Sequence, residues 1–228
     1  MTSGGGAGIL VIDTATTRVV VGRGGFDGAL ADEASWAAGY RHGETLLASI
    51  EGLLAPVGGR AAIGAIVVGT GPGAFTGLRV GIATAKGLAH GLDCPIVGVS
   101  TGFALLAAAG SGMAPADGDV LLLPAGPSDR VLLRAGETPV LLSGGREPDL
   151  EPGERLVAVD LETRAPADAV ERGRRAHDGL GSALFRIGAA RLAAGERDDL
   201  EGLVPDYVTL PRGVHSTSGE VAWSRDPR

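Results

Sequence analysis

Two segments of the sequence combine residue types that can do chemistry. In Ile12-Asp13-Thr14-Ala15-Thr16 a carboxylate ends an apolar run and hydroxyls follow it. That carboxylate can hold a metal-bound water or face phosphates, or it can close its own turn by accepting nearby backbone N–H groups. In Gly69-Thr70-Gly71-Pro72-Gly73-Ala74-Phe75-Thr76-Gly77-Leu78-Arg79 a glycine-rich loop joins an apolar run to a helical pattern. Glycines permit positive φ and close backbone approach, and loop N–H groups ahead of a helix favour anions. Phosphate binding and a tight structural turn both fit this loop. It is not a Walker loop, because no Gly-Lys-Ser/Thr follows and the chain's one lysine, Lys86, falls well inside the helix. Nor is it a dinucleotide fingerprint, since the acidic residue about 20 positions on, Asp93, belongs to the wrong element.

Other chemistries find less support. His42, His90, His177 and His215 form no His-x-x-x-His or His-Glu-x-x-His pair, which argues against a metallopeptidase. No Gly-x-Ser-x-Gly nucleophile elbow and no Ser-His-Asp set are expected. The one cysteine, Cys94, allows neither an internal disulfide nor a cysteine zinc site, and reads as a small core residue. No residue is assigned a catalytic or metal-ligating role. In the second half, only Asp160 and the Gly144-Gly145 turn present themselves, weakly, as a further carboxylate and a further glycine turn.

The elements that must position these segments follow from periodicity. Ile9–Ile12 reads as a buried central strand, Arg18–Arg23 as a second and Leu30–Ser35 as a third, an antiparallel meander turned by Gly24, Gly25, Asp27 and Gly28. His42–Leu54 changes period: Leu46, Leu47, Ile50, Leu53 and Leu54 share one helix face, and Pro56, Gly58 and Gly59 end it. Glu44 favours the positive end of that helix's dipole. Ile63–Val68 is a strand, Gly69–Thr76 a loop, Gly77–Gly91 a helix, Ile96–Val99 a strand and Thr101–Ala109 a helix. In the helix 77–91, Gly77, Gly81 and Ala85 form a small face beside the apolar Leu78, Ile82 and Leu88. Such a face either meets another subunit or is satisfied within the fold. Ser111–Gly118 is a linker. Strands are expected at Val120–Leu123, Arg130–Arg134, Val140–Ser143 and Arg155–Val159, helices at Ala167–Arg175 and Gly181–Ala194, and a terminal strand or tail segment at Val204–Leu210. The division is a disordered start at 1–8, a first half at 9–110, a second at 119–210 and a polar tail at 211–228.

Hydrophobic residues make up 44% and charged residues 21%, an ordinary globular composition. No run approaches the roughly 18 apolar residues that span a bilayer, and the start lacks a signal pattern, so a cytoplasmic location without membrane contact is expected. The net charge of −7 is unlike that of a protein that grips RNA alone, which shows a basic stripe; the clusters Arg172, Arg174, Arg175 and Arg225, Arg228 read as solvated surface.

The segments Ile9–Thr16, His42-Gly-Glu-Thr-Leu-Leu, Gly71-Pro-Gly-Ala-Phe-Thr-Gly-Leu-Arg-Val-Gly-Ile82, Gly87-Leu-Ala89 and Pro95–Thr101 resemble, in order and spacing, the TsaB (YeaZ) family. Pro205-Asp-Tyr-Val-Thr-Leu is similar to that family's closing Pro-x-Tyr-Leu-Arg. The resemblance covers about residues 9–106 and implies an α/β, actin-like (ASKHA) fold of two ribonuclease-H-like halves. It further implies a non-catalytic scaffold, a paralogue of TsaD. With TsaD and the small ATPase TsaE, such a scaffold serves the transfer of threonylcarbamoyl to the tRNA adenosine beside the anticodon. TsaD carries a metal-binding His-x-x-x-His where this chain reads Ser100-Thr-Gly-Phe-Ala-Leu105. The helices at 42–54 and 77–91 are then the docking face for TsaD, or for a second copy when TsaD is absent, with His42, Leu46, Leu47, Ile50, Arg79, Gly81 and Ala85 as contact residues. Asp13, Thr14, Gly71, Gly73, Thr76 and Gly77 would keep a vestigial nucleotide or phosphate site. No cofactor is held tightly, ATP or ADP and Mg belong at or near the partner interface, and tRNA is reached only through the complex. The chain departs from the family after residue 110: the usual Asp-Ala-Arg-x-x-Glu-Val-Tyr gives way to Pro124-Ala-Gly-Pro-Ser-Asp-Arg130-Val, which implies a divergent second half. The alternative is an actin-like ATP-dependent phosphotransferase or peptidase active on its own.

Overall fold

The structure is a computed structural model that describes residues 7–37, 42–110 and 112–208, the side chains of 42–44 excepted. Residues 1–6 of the expected disordered start and the whole tail 211–228 lie outside the described residues. The elements run β1 (Gly8–Asp13), β2 (Arg18–Gly24), β3 (Leu30–Ala37), α1 (His42–Leu54), β4 (Ile63–Gly69), α2 (Phe75–Leu92), β5 (Ile96–Val99) and α3 (Thr101–Ala109). Then follow β6 (Asp119–Pro124), β7 (Arg130–Arg134), β8 (Val140–Leu142), β9 (Arg155–Ala158), α4 (Ala167–Asp178) and α5 (Leu180–Ala193).

Two sheets result. The first has the order β3-β2-β1-β4-β5 and the second β8-β7-β6-β9. β1 pairs antiparallel with β2 and parallel with β4, with Ile12 opposite Val21 on one side and Val68 on the other. β1 is thus the central strand, and its continuous apolar run reflects burial on both faces. Leu10, Ile12, Ile66 and Val68 face α1 and α2, where they meet Leu46, Ile50, Ile82 and Ala85. Ile9, Val11, Ala65 and Val67 face the other way and share one core with α3, with Leu180, Leu184 and Phe185 of α5, and with Leu121 and Leu123 of the second sheet. The outer face of the second sheet is closed by α4 through Ala169 and Val170.

α2 starts at Phe75, two residues before the expected Gly77, so Thr76 stands in its first turn rather than in the loop. Residues 204–208 form no strand; they cross the first half as irregular chain. α5 belongs by sequence to the second half but packs on the first sheet, Phe185 lying against Gly24 and Gly188 against Val67. Among the described residues no helix is long and apolar enough to cross a membrane.

Candidate functional site

The two chemistry-bearing segments do converge. β1 ends in Asp13 beside the end of β4, and the loop after β4 folds onto the turn after β1, where Ala74 N–H donates to Ala15 O at 2.7 Å. Asp13 is 0% exposed. Its Oδ2 accepts from Thr101 Oγ1 at 2.6 Å and its Oδ1 from Ala15 N–H at 3.0 Å. Thr101 Oγ1 in turn accepts Gly71 N–H at 3.1 Å, so one hydroxyl joins strand, loop and α3. Burial pushes the Asp13 carboxyl up to about 6, against the lowering effect of the Thr101 and Ala15 hydrogen bonds. Gly69 lies flush against this carboxylate; a methyl there would collide with Oδ2. Thr14 Oγ1 donates to Gly77 O at 2.7 Å, and Gly81 packs directly on the same side chain.

Asp13, Thr14, Gly71 and Gly77 are therefore brought together but sealed, whereas Gly73 and Thr76 are exposed. Gly73 abuts Ala15 so closely that a side chain could not be added. A metal-bound nucleotide does not fit at Asp13, because both carboxylate oxygens are engaged inside the core and water is excluded. Of the two readings open for this segment, the geometry is that of a turn closure. The second-half candidates have structural partners of their own. Asp160, in the left-handed region at φ 57, takes Thr17 N–H at 2.8 Å and Thr17 Oγ1 at 2.6 Å. Gly144 N–H donates to Asp129 at 2.9 Å, and Gly145 O accepts from Arg130 at 2.8 Å. Arg130, 3% exposed, also reaches the carbonyls of Arg164 and Arg146, so the position where the family segment is lost now holds loops together. Among the described residues no group of three or more His, Cys, Asp or Glu could hold a metal ion.

Several joints were not foreseen from the sequence. Thr16 Oγ1 and His177 Nε2 lie 2.7 Å apart in a buried setting, and burial lowers the His177 pKa. Gly98-Val99-Ser100-Thr101-Gly102 does spell Gly-x-Ser-x-Gly, at the strand-to-helix turn between β5 and α3. It is no nucleophile elbow: Ser100 has an unstrained φ of −58°, accepts Phe103 N–H at 3.3 Å as the cap of α3, and donates to Gly71 O at 3.2 Å.

The expected docking residues divide. Leu46, Ile50, Gly81 and Ala85 are buried within the chain, Leu46 at 1% and Ala85 at 0% exposed, because they pack α1 and α2 on the sheet. Their side chains therefore serve the chain's own core first, and any partner meets α1 and α2 mainly through their exposed neighbours. Leu47 is 53% exposed. Arg79 is exposed and stacks on Phe75, 4.1 Å from the ring centre. His42 opens α1, with its side chain outside the described residues. On the solvent side of the two helices, Leu47, Ile50, Glu51, Arg60, Ala83, Thr84, Gly87 and Leu88 line a groove of about 330 Å³, with Ile50 at its floor.

A family model described as "TsaD: tRNA N6-adenosine threonylcarbamoyltransferase" matches residues 37–145. The chain is 37% identical over 99 residues to the tRNA threonylcarbamoyladenosine biosynthesis protein TsaB of Escherichia coli, covering 41% of this chain and 40% of that one. It is 42% identical over 69 residues to the Haemophilus influenzae protein of the same name, covering 30% and 29%. Over its first half the chain is thus similar to the TsaB (YeaZ) family. It spans less than half the length of the curated TsaB relatives it matches. The structure of YeaZ from Pseudomonas aeruginosa superimposes on this chain with a TM-score of 0.64, covering 89% of this chain and 100% of that one at 23% identity. That likeness shows the fold, which is actin-like and built on ribonuclease-H-like units.

Proposed function

We propose that this chain is a non-catalytic scaffold of the machinery that attaches threonylcarbamoyl to a tRNA adenosine, working with TsaD and TsaE. The observation that carries the reading is the pairing of a sealed acidic site with an open helical face. Asp13 is closed off inside the core, while Leu47, Ala83, Gly87 and Leu88 leave a mildly apolar groove on α1 and α2, flanked by the exposed Arg60–Glu51 ion pair at 2.5 Å. Small residues along such a groove let another helix approach closely, and the apolar side chains supply burial. The two relatives named for tRNA threonylcarbamoyladenosine biosynthesis supply the pathway, and the net charge of −7 suits a subunit that leaves tRNA contact to others. Nucleotide and Mg, where the assembly uses them, belong at or near the partner interface, and a second copy takes the groove when TsaD is absent.

Gly87 offers a clean test, because a side chain added there meets nothing within 4 Å. Gly87→Arg should fold normally, yet lose binding to TsaD and at least about tenfold of the tRNA modification reconstituted with TsaD and TsaE. Full modification by that variant, or modification that never needed this chain, would sink the scaffold reading. Mg-dependent ATP turnover by the chain alone, removed by Asp13→Asn, would favour the independent phosphotransferase instead.

A further inference from the structure

The segment after α5 returns across the first half in two unlike parts. Its first part is anchored. Asp198 N–H donates to Ile96 O at 2.9 Å and Asp198 Oδ2 accepts Gly98 N–H at 2.6 Å, which satisfies the open edge of β5. Arg191 pairs with the same carboxylate at 3.2 Å, and Leu203 is 7% exposed against Gly98.

Its second part, residues 204–208, is held differently. Asp206 N–H donates to Thr70 O at 2.8 Å, and Thr70 Oγ1 donates back to Asp206 Oδ2 at 2.6 Å. Tyr207 rests on Phe75 with ring centres 5.0 Å apart and takes a hydrogen bond from Arg79 Nε at 3.1 Å. Val204 is 60% exposed and Tyr207 39% exposed. No ladder and no core side chain fixes this arm. Beneath it lies the crevice between the two halves, lined by Pro72, Gly73, Leu123, Pro124, Ala125 and Val131, and with Tyr207 and Val208 in place only about 20 Å³ remains free. The crevice stands at the carboxyl ends of β4 and β6, the end at which open α/β sheets take ligands.

We infer that residues 204–208 are a lid on this crevice, hinged at Leu203 and opening without the rest of the fold. The lid swings from the anchored part, breaks the reciprocal Asp206–Thr70 pair and frees Arg79 from Tyr207. The closed state admits nothing larger than a water. This inference is independent of which partner or pathway the chain serves.

Native-state hydrogen exchange on the full chain tests it. The amides of Asp206 and Tyr207 should exchange at least about 100-fold faster than those of Asp198 and Leu203, through an opening insensitive to denaturant. Asp206→Ala should speed exchange in the arm at least about tenfold further while leaving the Asp198 and Leu203 amides unchanged. If all four amides exchange together with global unfolding, or if Asp206→Ala accelerates the anchor equally, the segment is one structural unit and the lid is refuted.

Discussion

Asp13 sits where a catalytic carboxylate would be expected, at the end of the central strand, yet its surroundings make it a structural acid. Its pKa is raised to about 6 by burial, so the folded chain binds more protons than the unfolded one between pH about 4 and about 6. The stabilising contribution is fully present below pH about 4 and is lost as pH rises through 6, an effect of roughly 3 kcal/mol at most. Asp13→Asn removes this dependence. Denaturant unfolding of both proteins from pH 4 to 7 should show the wild type losing stability relative to the variant as pH rises, and parallel curves would contradict the assignment.

At the scale of elements, α2 has two faces that its glycines tell apart. Gly81 touches Thr14, whose hydroxyl is already committed to Gly77 O at 2.7 Å, whereas Gly87 faces open space. Both positions gain about 1 kcal/mol of helix propensity on conversion to alanine. At Gly81 the collision with Thr14 outweighs that gain, so Gly81→Ala should destabilise by about 1–3 kcal/mol. Gly87→Ala should stabilise by up to about 1 kcal/mol. Chemical denaturation decides between them, and equal shifts would mean that α2 does not seat on β1 as described. The same contrast makes Leu46 and Gly81 unsuitable probes of docking, since damage there is damage to the core.

For the whole molecule, the two sheets share a central core that draws on residues from both sides of residue 110. Ile9, Val11, Val20 and Val67 are covered by Leu180, Leu184 and Phe185 of α5, which arrives from the far end of the chain. A fragment of residues 1–118 would keep β1 to β5 but expose that face to water. It should lack a cooperative unfolding transition and bind hydrophobic dyes, properties that calorimetry and dye fluorescence measure. A cooperative, dye-free fragment would show that the first half closes its own core.

What the sequence determined by itself is local. Apolar runs, helical spacing and turn residues act over a few positions, and they placed β5, α1, α3 and β7 at their observed bounds and β1 at the centre. The distinctive glycine loop was equally legible, and with it the resemblance to the TsaB (YeaZ) family. Only the tertiary structure decided what the polar residues do, because their partners lie far along the chain: Thr14 with Gly77 across 63 positions, Asp13 with Thr101 across 88, Thr17 with Asp160 across 143. Spacing carries no trace of such pairings. Burial likewise depends on which side of a helix meets the sheet, and Leu46 and Leu47 stand side by side in sequence with 1% and 53% of their surface exposed. Periodicity grouped them on one face; the packing of α1 against β2 and β3 turned one inward and left the other in water.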